Sequence, residues 1–226
     1  MKKSTKPLLY FAYGSNLNKF DWNHHRYRPP FDDCFEKVSN AWLPDYVPAF
    51  TYDSPVRSGG VLDVVARPGC CTPGVVFRLK SRKGLDALRQ KEGSPYNIIP
   101  ATVMTSDNRL VEVFTFTIKP RYVLGNFVTP SEEYVTVVRK GLRYHKLSTD
   151  VLDAVVARTH VPYIDTFFFY GTLRKGECRY QVVKELGILS EQHGKVRGRL
   201  YDCGAYPAIT LDAPLLSFTL ILALKT

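Results

Sequence analysis

No stretch of these 226 residues approaches the ~18 consecutive apolar residues that a membrane-spanning helix requires, so no membrane partner is expected. The apolar run 8–13 behind the basic opening 1–6 is too short and too polar for a secretory core. There is no CxxC pair, and the five cysteines (Cys34, Cys70, Cys71, Cys178, Cys203) are an odd number, which argues against a disulfide framework. A reducing, cytoplasmic setting is the expectation. Adjacent Cys70 and Cys71 read as small residues at a strand end rather than as a redox or metal-ligand pair. Acidic residues are few beside basic ones, 21 Asp and Glu against 31 Lys and Arg, for a net charge of +10. Such a balance attracts anions. It lacks a basic block interleaved with aromatics, a zinc finger or an RNA-binding signature, which makes nucleic acid an unlikely partner. Acidic small molecules fit the charge equally well.

What is present is ordinary for a globular chain: 45% hydrophobic and 23% charged residues. The length allows one large domain or two small ones. Residues 8–13 (LLYFAY) read as a buried strand entering a tight turn at Gly14, Ser15 and Asn16. A short polar helix over 18–27 should stop at Pro29 and Pro30. Residues 34–52 look extended but broken by Pro44 and Pro48. Gly59 and Gly60 open a strand over 61–66, which Pro68 and Gly69 close, and 74–79 supply another. Leu85 and Leu88 mark a helix over 82–92 that Gly93 ends. Strands 97–105 and 110–118 flank the turn sequence SDNR, and helices follow over 130–145 and 148–157. His24 and His25, near Arg26 and Arg28, read as a solvated face.

A second start appears after Pro162. The segment TFFFYGTL (166–173) echoes LLYFAYGSNL, with Tyr13 and Tyr170 lying 157 residues apart. Such an echo suggests tandem related domains, 1–160 and 161–226.

Four segments, FAYGSNL (11–17), GGVLDVVARPGCCTPGVVFRL (59–79), LDALRQKEGSPY (85–96) and PSEEYVTVVRKGLRYHKL (130–147), resemble the γ-glutamylcyclotransferase family in order and approximate spacing. Residues 167–212, through FFFYGTLRKGECRY (167–180) and GRLYDCGAYPAITL (198–211), resemble its AIG2-like branch, which includes γ-glutamylamine cyclotransferases. The resemblance implies an α+β fold: a small mixed β-barrel with flanking helices, plus a partial second copy. It implies release of 5-oxoproline from small γ-glutamyl amines or peptides, with no cofactor and no metal.

The chemistry accounts for the residue types. In a γ-glutamyl compound the α-amine can close on its own γ-carbonyl, so a site that holds the bent conformer gains much from orientation alone. The amine must lose protons and the departing nitrogen must gain them. The resemblance assigns that work to Glu92 as general acid/base. Tyr13, Gly14, Ser15, Asn16 and Leu17 would cradle the substrate through backbone N–H groups, and Tyr96 would line the pocket. Tyr96 follows Glu92 by only four residues, closer than the family pattern, so packing on the barrel is its alternative role. Downstream of Gly204 the sequence holds Asp212 and no Glu, and the second unit is expected to be catalytically inactive. The rival reading is a non-catalytic ligand-binding or interaction module that keeps the barrel.

Overall fold

The computed structural model describes residues 7–24, 28–159, 161, 166–185, 188–195, 198–210 and 218–224. The chain folds as two compact units, Met1–Val161 and Pro162–Thr226. The first begins with β1 (Leu9–Ala12), whose Tyr10, Phe11 and Ala12 are buried, and passes into a 3-10 turn at Ser15–Leu17. Short helices α1 (Lys19–His24) and α2 (Phe31–Cys34) follow. The Asn18 side-chain oxygen caps α1 by accepting the Phe20 N–H at 3.0 Å.

Next comes a long antiparallel hairpin, β2 (Phe35–Ser54) with β3 (Gly59–Leu79). Here the structure corrects the expectation of short, proline-broken strands. Pro44 sits at a register shift in the ladder and Pro48 pairs opposite Val64. The outer edge of β2 meets another strand only at Ala41 and Trp42, among the described residues. A missing N–H costs little at a bulge or along such an edge. Pro68, Gly69 and Pro73 likewise lie inside a continuous β3, and Cys70 and Cys71 sit within it rather than at its end. Gly60 donates its N–H to Thr129 O at 2.9 Å, so the Gly59–Gly60 pair serves the chain packed beside the strand.

Helix α3 (Arg82–Glu92) starts at Ser81, whose hydroxyl accepts the Gly84 N–H, and stops at Gly93, φ 70°. A second hairpin, β4 (Tyr96–Thr105) with β5 (Leu110–Ile118), turns through the SDNR segment. Helices α4 (Glu132–Tyr144) and α5 (Asp150–Val156) complete the unit. The sheet closes in the order β1-β3-β2-β4-β5, with β1 lying parallel to β5 at Tyr10 and Phe114 and all other pairs antiparallel. This is a five-stranded mixed barrel with flanking helices. Phe11, Leu43, Phe50, Val75, Phe77 and Val103 belong to its hydrophobic core, all fully buried.

The second unit contains β6 (Thr166–Phe169), α6 (Tyr180–Lys184), β7 (Ile188–Lys195), β8 (Arg199–Asp202), β9 (Pro207–Thr210) and β10 (Phe218–Leu224). Strand β10 lies between β6 and β7, antiparallel to both, and β8 pairs with β9 in a separate ladder. No barrel closes among the described residues here. Val183 packs with Phe169, Leu173 and Ile188. Asp212, His25 and Arg26 lie outside the described residues.

Candidate active site

The turn that leaves β1 is held from three sides. Leu17 and Asn18 donate their N–H groups back to Gly14 O and Ser15 O, both at 3.0 Å. Asn18 Nδ2 donates to Val137 O of α4 at 3.0 Å, and His145 Nε2 lies 3.1 Å from Leu17 O. Helix α4 comes this close because residue 141 is glycine: a Cβ there would stand 2.6 Å from Leu17 Cβ and 3.0 Å from its carbonyl carbon. The buried stripe Tyr134, Val135, Val138 and Leu142 aims α4 at the barrel, and the Tyr134 hydroxyl reaches the turn, 3.6 Å from where a Gly14 Cβ would stand.

Across from the turn stands the last residue of α3. Asn16 Nδ2 donates to Glu92 Oε1 at 2.5 Å and lies 2.8 Å from Tyr10 Oη. The other end of the same amide, Asn16 Oδ1, accepts from Lys91 Nζ at 2.5 Å, and Lys91 also donates to Ser15 Oγ at 2.8 Å. Asp21 Oδ2 is 3.9 Å from Lys91 Nζ and is bound at both oxygens by Arg57, at 2.8 and 2.7 Å. The Leu62 N–H donates to Tyr134 Oη at 3.2 Å.

Two connected spaces meet at Glu92. An inner recess of about 30 Å³, roughly one water in size, is lined by Tyr10, Gly14, Asn16, Glu92, Tyr96 and Tyr134. An outer cavity of about 530 Å³ shares Ser15, Glu92, Tyr96 and Tyr134 with it and adds Arg57 and Lys91 to its wall. That volume falls in the range of small-molecule sites. Burial, reinforced by nearby acidic groups, pushes the Tyr10, Tyr13 and Tyr96 phenols well above their ordinary range, and burial does the same to Tyr134. All four remain protonated donors at neutral pH. Burial, and then the Arg57 and Arg28 cations, lower the Lys91 ammonium to about 8 against the pull of Glu92 and Asp21.

Of the residues expected at the site, Tyr13, Gly14, Ser15, Asn16, Glu92 and Tyr96 line one or both spaces. Leu17 does not: its side chain is fully buried and its N–H is spent inside the turn, so it offers no donor to a ligand. Tyr13 lends a wall rather than a hydroxyl, since its Oη donates to Phe116 O at 2.7 Å. A 3-10 turn leaves its leading N–H groups without partners inside the turn, which makes Ser15 and Asn16 the donors a cradle could use. Lys91, Tyr134, Tyr10 and the Arg57–Asp21 pair went unread in the sequence. Of these only Tyr134 carried a signal, as the first member of the apolar stripe of α4.

A wider groove of about 1200 Å³ opens between α1 and α4, bordered by Phe20, Val56, Glu133, Lys140 and Tyr144. It contains none of the expected site residues. Among the described residues no three His, Cys, Asp or Glu side chains are placed to hold a metal ion, and no helix is long and apolar enough to cross a membrane.

A family model described as "Gamma-glutamyl cyclotransferase, AIG2-like" matches residues 10–136 and 167–215. Among solved structures, one named gamma-glutamyl cyclotransferase superposes with a TM-score of 0.56 at 22% identity, covering 80% of this chain and 99% of that one. An uncharacterized protein from Homo sapiens gives 0.54 at 23% identity, covering 80% and 99%. YkqA from Bacillus subtilis gives 0.56 at 22%, covering 71% of this chain and 57% of its own. These likenesses are of fold. No curated protein matches the chain in sequence.

Proposed function

This chain belongs to the gamma-glutamyl cyclotransferase, AIG2-like family, and on that premise we propose that its first unit releases 5-oxoproline from small γ-glutamyl amines or peptides, with Glu92 as general acid/base. The observation that carries the reading is the meeting of Asn16 and Glu92 at 2.5 Å on the wall of a recess.

The substrate arrives with a charged α-ammonium. Glu92 takes one proton, the freed nitrogen attacks the carbon of the γ-carbonyl, and a tetrahedral oxyanion forms. The Ser15 and Asn16 N–H groups are the donors assigned to it. Glu92 then passes protons to the departing nitrogen as the old C–N bond breaks. The α-nitrogen loses two protons in all and the released amine gains two, so the reaction balances without a co-reactant. Because the nucleophile is tethered to its target, holding the bent conformer supplies several kcal/mol of the barrier reduction. The Arg57 charge on the wall of the outer cavity suits a substrate that carries a carboxylate. No turnover is assigned to the second unit, where Glu191 is engaged by Tyr180 Oη and by Lys175 Nζ.

The test is incubation of the full chain with a panel of γ-glutamyl dipeptides and γ-glutamyl amines, followed by detection of 5-oxoproline. Release from at least one member is expected. Binding of the panel without release from any member would favour the module.

A further inference from the structure

We infer that Lys91 is a positioning residue for Glu92: its ammonium holds the Asn16 side-chain carbonyl, which turns the Asn16 amide N–H onto the carboxylate, so the state of a buried lysine governs the base. The inference rests on Glu92 being the base of the cyclisation.

Lys91 and Glu92 are consecutive at the end of α3, and consecutive helical residues do not face the same way. Both nevertheless reach one amide, Lys91 Nζ at Oδ1 and Glu92 Oε1 at Nδ2, each at 2.5 Å. An ammonium only donates and an ionised carboxylate only accepts, so the amide has one orientation. Reversing it would set N–H against N–H and oxygen against oxygen. The Lys91 side chain is only 8% exposed, too deep for a residue kept for solubility. Two of its three N–H bonds are committed, to Ser15 and Asn16, which leaves little for a substrate carboxylate.

The charges around Lys91 come from every neighbouring element. Glu92 lies on its own helix, Asp21 on α1, Arg28 on the segment after α1, and Arg57 on the turn between β2 and β3. Asp21 is already bound by Arg57 at both oxygens, so it compensates Lys91 weakly. With the ammonium lowered to about 8, Lys91 titrates at the edge of the physiological range. As pH rises through that value the charge-assisted bond to Asn16 weakens, and with it the hold of the Asn16 amide on Glu92. Turnover should therefore fall on an alkaline limb near pH 8 that the protein sets, not the leaving amine.

The experiment measures kcat and KM from pH 6 to 10 for the wild type, Lys91→Gln, Asn16→Ala and the double variant. The probe is γ-glutamyl-p-nitroanilide, whose leaving amine stays neutral across that range. Lys91→Gln keeps a neutral donor and loses the charge. It should lower kcat about tenfold with KM within about twofold, and abolish the limb. In the Asn16→Ala background the same substitution should cost nothing further, because Lys91 acts through Asn16. A wild type that turns over with no limb near pH 8, or a limb unchanged in Lys91→Gln, overturns the inference and leaves the cyclotransferase reading standing. Absence of 5-oxoproline from every substrate overturns that reading instead. Independently of turnover, the Glu92 carboxyl carbon resonance in labelled wild-type protein should step near pH 8 and lose the step in Lys91→Gln. A flat wild-type titration there overturns the inference even if the variant fails to fold.

Discussion

Asn16 and Glu92 lie 76 residues apart in the chain and meet at 2.5 Å, donor to carboxylate, where the turn after β1 faces the end of α3. Neither partner is distinctive alone. A Gly-Ser-Asn turn is common, and so is a glutamate at a helix end. The barrel makes the pair by pairing β1 with β3 and β5, while Ser81 and Gly93 fix where α3 begins and ends.

Asn16→Asp tests that contact with almost no change of shape. The substitution puts a second carboxylate where the amide N–H now binds Glu92. Two carboxylates so close share a proton rather than both ionising. Turnover at pH 7 should fall by about 10² or more, with the acid limb of the pH–rate profile moved upward. A profile like that of the wild type would show that the contact does not matter to the base.

Gly14→Ala separates cradle from scaffold. Gly14 has φ −113°, so no left-handed backbone requires glycine there, and an added Cβ would meet only Tyr134 Oη at 3.6 Å and Leu62 Cβ at 3.9 Å. The variant should melt within about 1 kcal/mol of the wild type while binding 5-oxoproline less tightly, because the methyl group faces the recess. Unchanged binding by calorimetry would remove Gly14 from the ligand cradle.

Gly141→Ala should do the opposite and damage the scaffold. Alanine favours a helix over glycine by about 1 kcal/mol. Here its Cβ would stand 2.6 Å from Leu17 Cβ and 3.1 Å from Asn18 N. Overpacking costs about 1–3 kcal/mol, and the backbone of a clamped turn cannot swing aside as a side-chain tip can. A net loss in urea denaturation is expected; a gain would mean that the turn yields freely.

The elements that local rules describe were the legible ones. Gly93 ends α3 immediately after Glu92, and the turn sequence SDNR announces the hairpin of 97–105 with 110–118. The long strands were illegible because proline is a local signal, whereas tolerance of Pro44 and Pro48 depends on what lies beside the outer edge of β2. Lys91 was hidden by adjacency: no periodicity links it to Asn16, and only the barrel brings the turn to it. Tyr134 stood in view within the quoted PSEEY segment, at the start of the helix expected over 130–145, with nothing local to tie its ring to the site. Leu17 belongs to the quoted motif, yet it serves the core.

His145 supplies a pH test of the turn's support. Burial first, and then Lys37, lower its imidazole from 6.5 to about 4, while the bond to Leu17 O pulls the other way. A depressed folded value means that protonation favours the unfolded chain. The contribution is whole above pH 6.5 and is lost as pH falls toward 4. His145→Gln keeps a donor for Leu17 O without titrating, so its stability should be flatter over that window. Parallel curves for the two proteins would exclude His145 as the source.

The most direct measurement is 5-oxoproline release by Glu92→Gln beside the wild type, under saturating γ-glutamyl substrate. The glutamine oxygen can still accept from Asn16, so fold and binding should persist, as an unchanged melting temperature and retained 5-oxoproline affinity would show. It cannot carry a proton between the α-nitrogen and the leaving nitrogen, and kcat should fall by about 10²–10⁴. Release at close to the wild-type rate from the folded variant would contradict the assignment of Glu92 as the acid/base.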